Sequence, residues 1–324
     1  MEKQFLFDGN GGKLSLRTSV MAFGAAGDGI RDDTSAIQAA LNAKKNGGTV
    51  YFPAGIYKIT RSIFFYSNQT LIFEGGATLL QGAAINNLLM NDSTAEKGNY
   101  DATDNVIISG ATFDGGSYSQ NNTLLGICHS RNITIQNCRF RNAYGTWHNV
   151  EINSSKNVLV DGCWFEGNRK TGVNAELIQV DSFNNTATWP WGNGKVDGTV
   201  SYMVEIKNCF FTGCAIAPAI GNHSEAVIDC IRIHDNIFEG FTSSRGAVNF
   251  QSARNVDVYA NTFTGCSTGI TVGTADGTNS VHDNRFIGIN TVAGNDIRCY
   301  NNMINGTFTP STPRRRAHPG APFL

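Results

Sequence analysis

Carboxyl and histidine side chains occur at matching positions of two short segments, where they could carry out acid–base chemistry. The segments are residues 150–153 (VEIN) and 178–181 (IQVD), in which apolar and polar residues alternate as in a β-strand. The polar residues in and just before them are His148, Glu151, Asn153, Glu176, Gln179 and Asp181. Two carboxyl groups that flank a glycosidic bond can cleave it, one as general acid and the other as base or nucleophile. The pattern therefore favours glycan hydrolysis as the function.

A recurring nine-residue motif indicates how these segments are positioned. Each copy alternates apolar and polar residues and then ends with a small residue, one further residue and a large apolar residue. The clear copies are residues 132–140, 157–165, 203–211, 230–238 and 255–263, and weaker copies are residues 105–113, 278–286 and 296–304. Their last residues are separated by steps of 27, 25, 46, 27, 25, 23 and 18 residues. A repeat of this length with strand alternation predicts a solenoid of stacked β-strands.

Stacking of successive coils would place the two polar segments side by side, next to a third at residues 248–251 (VNFQ). One exterior column would then contain Glu151, Gln179 and Asn249, and the next Asn153, Asp181 and Gln251. Because strands in a sheet lie about 4.8 Å apart, Glu151 and Asp181 would be on the order of 8 Å from each other, within the range of inverting glycosidases. The pair Glu176 and Asp181 is an equal alternative.

Two irregular segments interrupt the repeats beside these columns. One is the insertion at residues 183–201, which contains two tryptophans able to stack on sugar rings, and the other is residues 216–225 (IAPAIGNHSE). Single acidic residues on a solenoid are mostly solvated surface groups, so the prediction depends on the convergence of columns and irregular segments on one face. The predicted catalytic residues are Glu176, Asp181, Glu151 and His223. The predicted substrate-binding residues are His148, Gln179, Trp189, Trp191, Asn153, Arg245 and Gln251.

The composition argues against several other classes of protein. Charged residues make up 16% of the chain and the net charge is −1, so there is no basic surface for nucleic acid. The sequence contains no run of about 18 apolar residues, so no membrane span is predicted. The N-terminus lacks the pattern of a secretion signal. Three of the eight cysteines (Cys138, Cys163 and Cys209) share one motif position, which predicts a buried column of reduced thiols and no metal site.

The ends of the chain differ from the repeats. Residues 33–45 predict an amphipathic helix that would cover the open end of the solenoid, where strand edges would otherwise be exposed. Residues 1–22 form a lead-in, and residues 23–308 form the solenoid domain. Residues 309–324 hold four of the seven prolines and the run Arg314–Arg316, which predicts a disordered tail or an addition to the natural chain.

Two runs near the N-terminus resemble a known family. The run FGAxGDGxxDDTxAIQxA, from Phe23 to Ala40, is followed by GGxVxFPxGxY at residues 47–57. Together they are similar to the N-terminal signature of the pectate-lyase-like superfamily, in the branch of phage tailspike depolymerases and polygalacturonase relatives. The resemblance implies an all-β fold, a single-stranded right-handed parallel β-helix with a short N-terminal capping α-helix. It also implies a polysaccharide partner and, by analogy with virion spikes, a homotrimer.

The family's catalytic motifs do not carry over intact. The NTD, DD, GHG and RIK motifs of polygalacturonases are missing, with only Gly221–His223 (GNH) as a faint similarity, and no acidic calcium cluster is evident. Three functions therefore remain open. The first is a glycoside hydrolase without a cofactor, the second a polysaccharide lyase that uses His223 or Arg245 and calcium, and the third a glycan-binding spike domain without turnover. Each would act outside the cell or on a virion, or belong to a fragment of a longer protein.

Overall fold

The computed structural model describes residues 17–92, 96–169, 172, 174–184, 194–213, 216–274, 278–288, 292–294 and 297–305. A short 3-10 helix covers Val20–Phe23 and the α-helix α1 covers Thr34–Ala43. Among these residues, no helix is both long and apolar enough to cross a membrane. The remaining regular structure consists of short strands.

The strands follow one another with short connections. The first ten are β1 (Thr18–Ser19), β2 (Asp28–Asp32), β3 (Gly48–Phe52), β4 (Ile56–Ile59), β5 (Ile63–Phe65), β6 (Gln69–Phe73), β7 (Thr78–Gln81), β8 (Asn87–Asn91), β9 (Thr103–Ser109) and β10 (Thr112–Asp114). The next ten are β11 (Thr123–Cys128), β12 (Ser130–Gln136), β13 (Arg139–Arg141), β14 (Val150–Asn153), β15 (Lys156–Asp161), β16 (Trp164–Phe165), β17 (Ile178–Asp181), β18 (Tyr202–Lys207), β19 (Phe210–Thr212) and β20 (Ile220–Asn222). The last are β21 (Ile228–His234), β22 (Ile237–Glu239), β23 (Val248–Tyr259), β24 (Thr262–Thr264), β25 (Ile270–Thr274), β26 (Asn279–His282), β27 (Arg285–Ile287), β28 (Val292–Gly294), β29 (Ile297–Tyr300) and β30 (Met303–Asn305).

These strands form three parallel stacks around one apolar core. The first stack contains the N-terminal halves of the motifs, from β1 and β3 through β6, β9, β12, β15, β18 and β21 to β29. The second contains β5, β8, β11, β14, β17, β20, β25 and β28, and the long strand β23 belongs to both. The third runs from β2 to β30 and contains the motif ends. The predicted fold, a right-handed single-stranded parallel β-helix with an N-terminal helix, is thereby confirmed.

The motif sequence explains the shape of each coil. Its first residue has a left-handed backbone, with φ of 56° at Asn132 and 53° at Asn157 and Asn255, a conformation that asparagine adopts at low cost. Met203 and Cys230 adopt φ of 55° and 56° at the same position, so the stack imposes this turn even on side chains that disfavour it.

The interior of the helix consists of columns of identical residues. Phe113, Phe140, Phe165, Phe211 and Phe238 stack face to face with centroids 4.8 Å apart, the spacing of the strands. The predicted cysteine column is also present: Cys138, Cys163 and Cys209 are buried and free, and the amide of each of the first two donates to the next sulfur. The motif is thus mainly structural.

The helix α1 covers the N-terminal end of this core. It buries Ile37, Ala40 and Leu41, and Asp33 forms its N-cap. The Asp33 carboxylate accepts hydrogen bonds from the amides of Ala26 and Gly27. The acidic residues of the N-terminal signature therefore shape turns in this protein.

We expect the substitution Phe165→Ala to destabilise the protein by about 3–5 kcal/mol, because it opens a cavity in the middle of the phenylalanine stack. The neighbouring residue Trp164 lies in the same strand but is 45% exposed, so Trp164→Ala serves as the matched control with an effect below about 1 kcal/mol. Thermal unfolding followed by circular dichroism measures both. Equal losses for the two variants would contradict the assignment of stability to the inner column.

Candidate functional site

The register of the second stack brings the predicted site residues together. Strand β14 pairs with β17 so that Glu151 lies opposite Gln179 and Asn153 opposite Asp181. The next strand, β20, places Gly221 beside Gln179, and β23 places Asn249 beside Gly221. The apolar neighbours in β14 and β17 point into the core. The predicted columns therefore exist on the outer side of this stack.

The expected solvent exposure of these columns is wrong for all of their described residues except Gln251. Glu151, Asn153, Gln179 and Asp181 are each no more than 1% exposed, Glu176 is 0% exposed and His148 is 4% exposed. Part of the cover comes from the chain after β17, where Phe183 donates its amide to Ser154 and packs with Met90 and Cys128. Alternation along a strand determines which side a residue faces, whereas segments that fold back over the strand determine whether water reaches it.

Asp181 has both carboxylate oxygens occupied as hydrogen-bond acceptors. Oδ2 accepts from Gln179 Nε2 at 3.0 Å and from the amides of His223 and Ser224 at 3.4 and 3.2 Å. Oδ1 accepts from the Ser182 amide at 2.9 Å and from the Ser224 hydroxyl. These donors fix the orientation of the carboxylate.

Both carboxyl oxygens of Glu151 also accept a hydrogen bond. Its Oε1 accepts from Asn153 Nδ2 at 2.8 Å, and its Oε2 accepts from the Thr123 hydroxyl at 3.3 Å. Burial raises its pKa well above the usual value, and the negative charges of Asp181 and Glu176 act in the same direction. Three carboxyl groups thus lie close enough to influence one another, and Glu151 differs from Glu176 in that a neighbouring side chain donates to each of its oxygens.

Glu176 has a different environment from both. It is buried, and no other residue in the described part of the chain donates a hydrogen bond to either carboxyl oxygen. Burial raises its pKa to about 7, while its own backbone amide and the positive charge of Arg245 act to lower it and the negative charge of Asp181 adds to the rise. An unpaired buried carboxyl is costly to the fold, which is typical of a group that meets its partner only when a ligand binds.

His148 lies next to Glu176 in the adjacent coil. Its Nδ1 is 2.8 Å from the Glu176 carbonyl oxygen and 3.8 Å from Glu176 Oε2. Burial lowers the pKa of His148 to about 3, so the ring is neutral at ordinary pH. The Nδ1–H group therefore donates to the carbonyl, and the lone pair of the neutral ring lies on Nε2.

His223 and Arg245 lie at the outer rim of the site. The His223 side chain is 22% exposed, its ring nitrogens lie 3.2 and 3.3 Å from Gln179 Nε2, and its Nδ1 is 3.9 Å from Asp181 Oδ2. Burial lowers the pKa of His223, the Asp181 charge opposes this, and the Arg245 charge adds to it. Arg245 is half-buried and donates to Asn174 Oδ1 at 2.6 Å.

The remaining predicted residues have mixed outcomes. Asn153 is a donor to Glu151 inside the cluster, whereas Gln251 is exposed on the coil beyond His223. Trp189 and Trp191 lie outside the described residues.

Sequence reasoning missed the roles of Thr123, Ser224 and Gly221. An added Cβ at Gly221 would lie 2.0 Å from Asn249 O, so this glycine allows the neighbouring backbone to approach closely beside Glu176, whose Cγ would lie 3.5 Å from that Cβ. The position of Gly221 opposite Gln179 in the stack was the signal that could have identified it.

Comparison with known proteins places the chain in a family. Residues 17–217 match the family model described as rhamnogalacturonase A/epimerase, pectate lyase-like. The chain is 31% identical over 284 residues to the plasmin and fibronectin-binding protein A of Streptococcus pneumoniae, covering 76% of this chain and 39% of that protein. It is 25% identical over 306 residues to the preneck appendage protein of Bacillus phage PZA, covering 91% of this chain and 32% of that protein.

The chain thus spans about a third of the length of these relatives. Among solved structures, the exopolygalacturonase of Thermotoga maritima has the same fold, with a TM-score of 0.58 at 14% identity over 91% of this chain and 78% of that one. On the match over residues 17–217, the chain belongs to the rhamnogalacturonase A/epimerase family of pectate-lyase-like proteins.

Proposed function

We propose that this protein hydrolyses a polysaccharide, with Glu176 as the general acid and Asp181 as the second carboxyl group. The observation that supports this most directly is the contrast between the two groups. Asp181 has both oxygens occupied by donors, whereas Glu176 is buried with neither oxygen paired. Two carboxyl groups in contrasting environments are what acid and base roles require. The raised pKa of Glu176, about 7, suits a group that must hold a proton near neutral pH.

The rim residues suit recognition of an acidic sugar. Arg245 carries a planar guanidinium group that can bind a sugar carboxylate through two hydrogen bonds, and Gln179 and His223 add polar groups beside it. Because Glu176 is 0% exposed, a sugar can reach it only if neighbouring side chains move, and the partly exposed His223 is the one that we propose to move.

Two alternatives use the same face. A lyase would take the proton next to a uronate carboxylate with His223, which is neutral because burial lowers its pKa. A binding domain without turnover is the second alternative, and the names of the two relatives, a plasmin and fibronectin-binding protein and a preneck appendage protein, favour a binding role without specifying a glycan. These names also support the proposal that the chain acts at a cell surface or on a virion.

A product analysis separates the three functions. The protein, freed of metal with a chelator, is incubated with a panel of neutral and uronate-containing polysaccharides, and a parallel set contains calcium. Hydrolysis releases reducing ends without the ultraviolet absorbance of unsaturated uronates, and this is the expected result. Reducing ends together with that absorbance would replace the hydrolase by a lyase. Binding of a polysaccharide without either product would leave only the glycan-binding function.

A further inference from the structure

The cluster of His148, Glu176 and His223 has the composition of a metal site. One ligand atom from each residue lies within 4.8 Å of the other two. Two imidazoles and one carboxylate form a donor set that zinc and related ions use with a further position open. We propose that this cluster binds a divalent transition metal ion of the zinc and cobalt type, which would block the hydrolase site.

The hydrogen bond of His148 determines which of its ring nitrogens could bind a metal ion. Its Nδ1–H group donates to the Glu176 carbonyl at 2.8 Å and lies 3.8 Å from Glu176 Oε2, so a metal ion would bind Nε2 after the Glu176 carboxylate turns toward that nitrogen. A hydrogen bond from the far ring nitrogen to a backbone carbonyl is the usual support for a metal-binding histidine, because it holds the ring orientation. His148 is buried in a regular coil and so provides a rigid ligand.

The carboxyl of Glu176 supplies the second, independent observation. Both oxygens are buried and lack a hydrogen-bond partner among the described residues, and they lie beside the two histidines. A cation is the partner that would satisfy both oxygens and offset the cost of burying the group. Calcium and magnesium prefer sites made of oxygen atoms alone, so the two nitrogens favour a transition metal.

Binding requires a small contraction of the cluster. Ligand atoms 2.0–2.2 Å from zinc lie roughly 3.3–3.6 Å apart in a tetrahedral site, which is less than the present limit of 4.8 Å. His223 can supply part of this movement, because its ring is partly exposed and, among the described residues, its neighbours are Gln179 at 3.2 Å, the more distant Asp181 and the His148 ring. The inference goes beyond the proposed function, since metal binding needs no saccharide, whereas the inhibitory effect rests on that function.

Cobalt titration of the chelator-treated full chain tests the site. We expect visible absorption of a four- or five-coordinate Co²⁺ site that saturates at one equivalent and is displaced by Zn²⁺. His223→Ala and Glu176→Gln should each weaken binding by roughly a hundredfold or more, since even partners outside the ligand shell account for 10- to 100-fold. His282→Ala is the matched control, because His282 also lies on the surface between two carboxylates, 3.2 Å from Asp257 Oδ1 and 2.6 Å from Asp283 Oδ2.

The outcomes are decisive for the metal site on its own. Absence of a one-equivalent Co²⁺ spectrum, or an unchanged spectrum in both His223→Ala and Glu176→Gln, would overturn the proposal, as would loss of binding in His282→Ala alone. Cleavage measured in chelator tests the hydrolase separately. If cleavage is present and the site is filled, Zn²⁺ should abolish it, and undiminished activity at full occupancy would refute the inhibitory effect.

Discussion

Glu176→Gln is expected to lower the rate of polysaccharide cleavage by about 10²- to 10⁴-fold, because a positioned proton donor contributes this much to catalysis. Glutamine has nearly the same shape but cannot deliver a proton to the leaving oxygen. The comparison is made as kcat/KM for reducing-end release in chelator at pH 6–7. A loss in kcat with little change in KM is expected if Glu176 acts in the transition state.

Two further variants show whether the effect is specific. Asp181→Asn should also reduce cleavage by at least about a hundredfold, since Asp181 is the second carboxyl group of the proposed pair. Glu239→Gln, an exposed carboxyl in the third stack, is the matched control and should retain full activity. Full activity in Glu176→Gln would exclude its role as acid, while the wild-type product would still identify the reaction.

The fold could be predicted from sequence because its repeating unit is local. The phenylalanine that ends most motifs and the asparagine that begins several of them recur once per coil, so neighbouring coils stack in register. The same alignment correctly placed Glu151 opposite Gln179 and Asn153 opposite Asp181. Register in a β-helix follows from the positions of inward apolar residues, which the sequence displays directly.

The hydrogen-bond partners and burial of each acidic side chain could not be predicted from the repeats. Glu151 and Asp181 occur in strands of the same pattern, and the contrast between either of them and Glu176 depends on residues from other coils. Thr123 engages Glu151, and Ser224 engages Asp181, from positions 28 and 43 residues away. Glu176 lies beside Gly221, which has no side chain that could donate to it. Such contacts join residues of different coils that lie outside the repeating motif, so no periodic pattern in the sequence predicts them.

The unpaired carboxyl of Glu176 has a consequence for stability that does not depend on any substrate. Its pKa rises from 4.5 to about 7 on folding because the ionised form is poorly solvated in the buried site. Below pH 4.5 the carboxyl is protonated in both the folded and the unfolded state, so its burial does not lower the stability of the protein. As pH rises through about 7 the carboxyl ionises in the folded state as well, and the free energy of unfolding falls. The difference between a pKa of 4.5 and one of about 7 corresponds to a free energy of unfolding that is roughly 3 kcal/mol lower at pH 8.5 than at pH 4.5.

We therefore expect Glu176→Gln to be more stable than the wild type at pH 8.5 and close to it at pH 4.5, because the amide never ionises. The difference should grow between these limits to about 3 kcal/mol, and chelator keeps metal off the carboxylate during the measurement. Thermal unfolding at several pH values detects it as a melting temperature that falls less steeply in the variant.

Glu239→Gln controls for the loss of one negative charge and should parallel the wild type. Parallel curves for Glu176→Gln and the wild type would mean that Glu176 finds a partner in solution. A variant that gains stability while losing cleavage would instead show that this protein retains an unfavourable buried acid for its function.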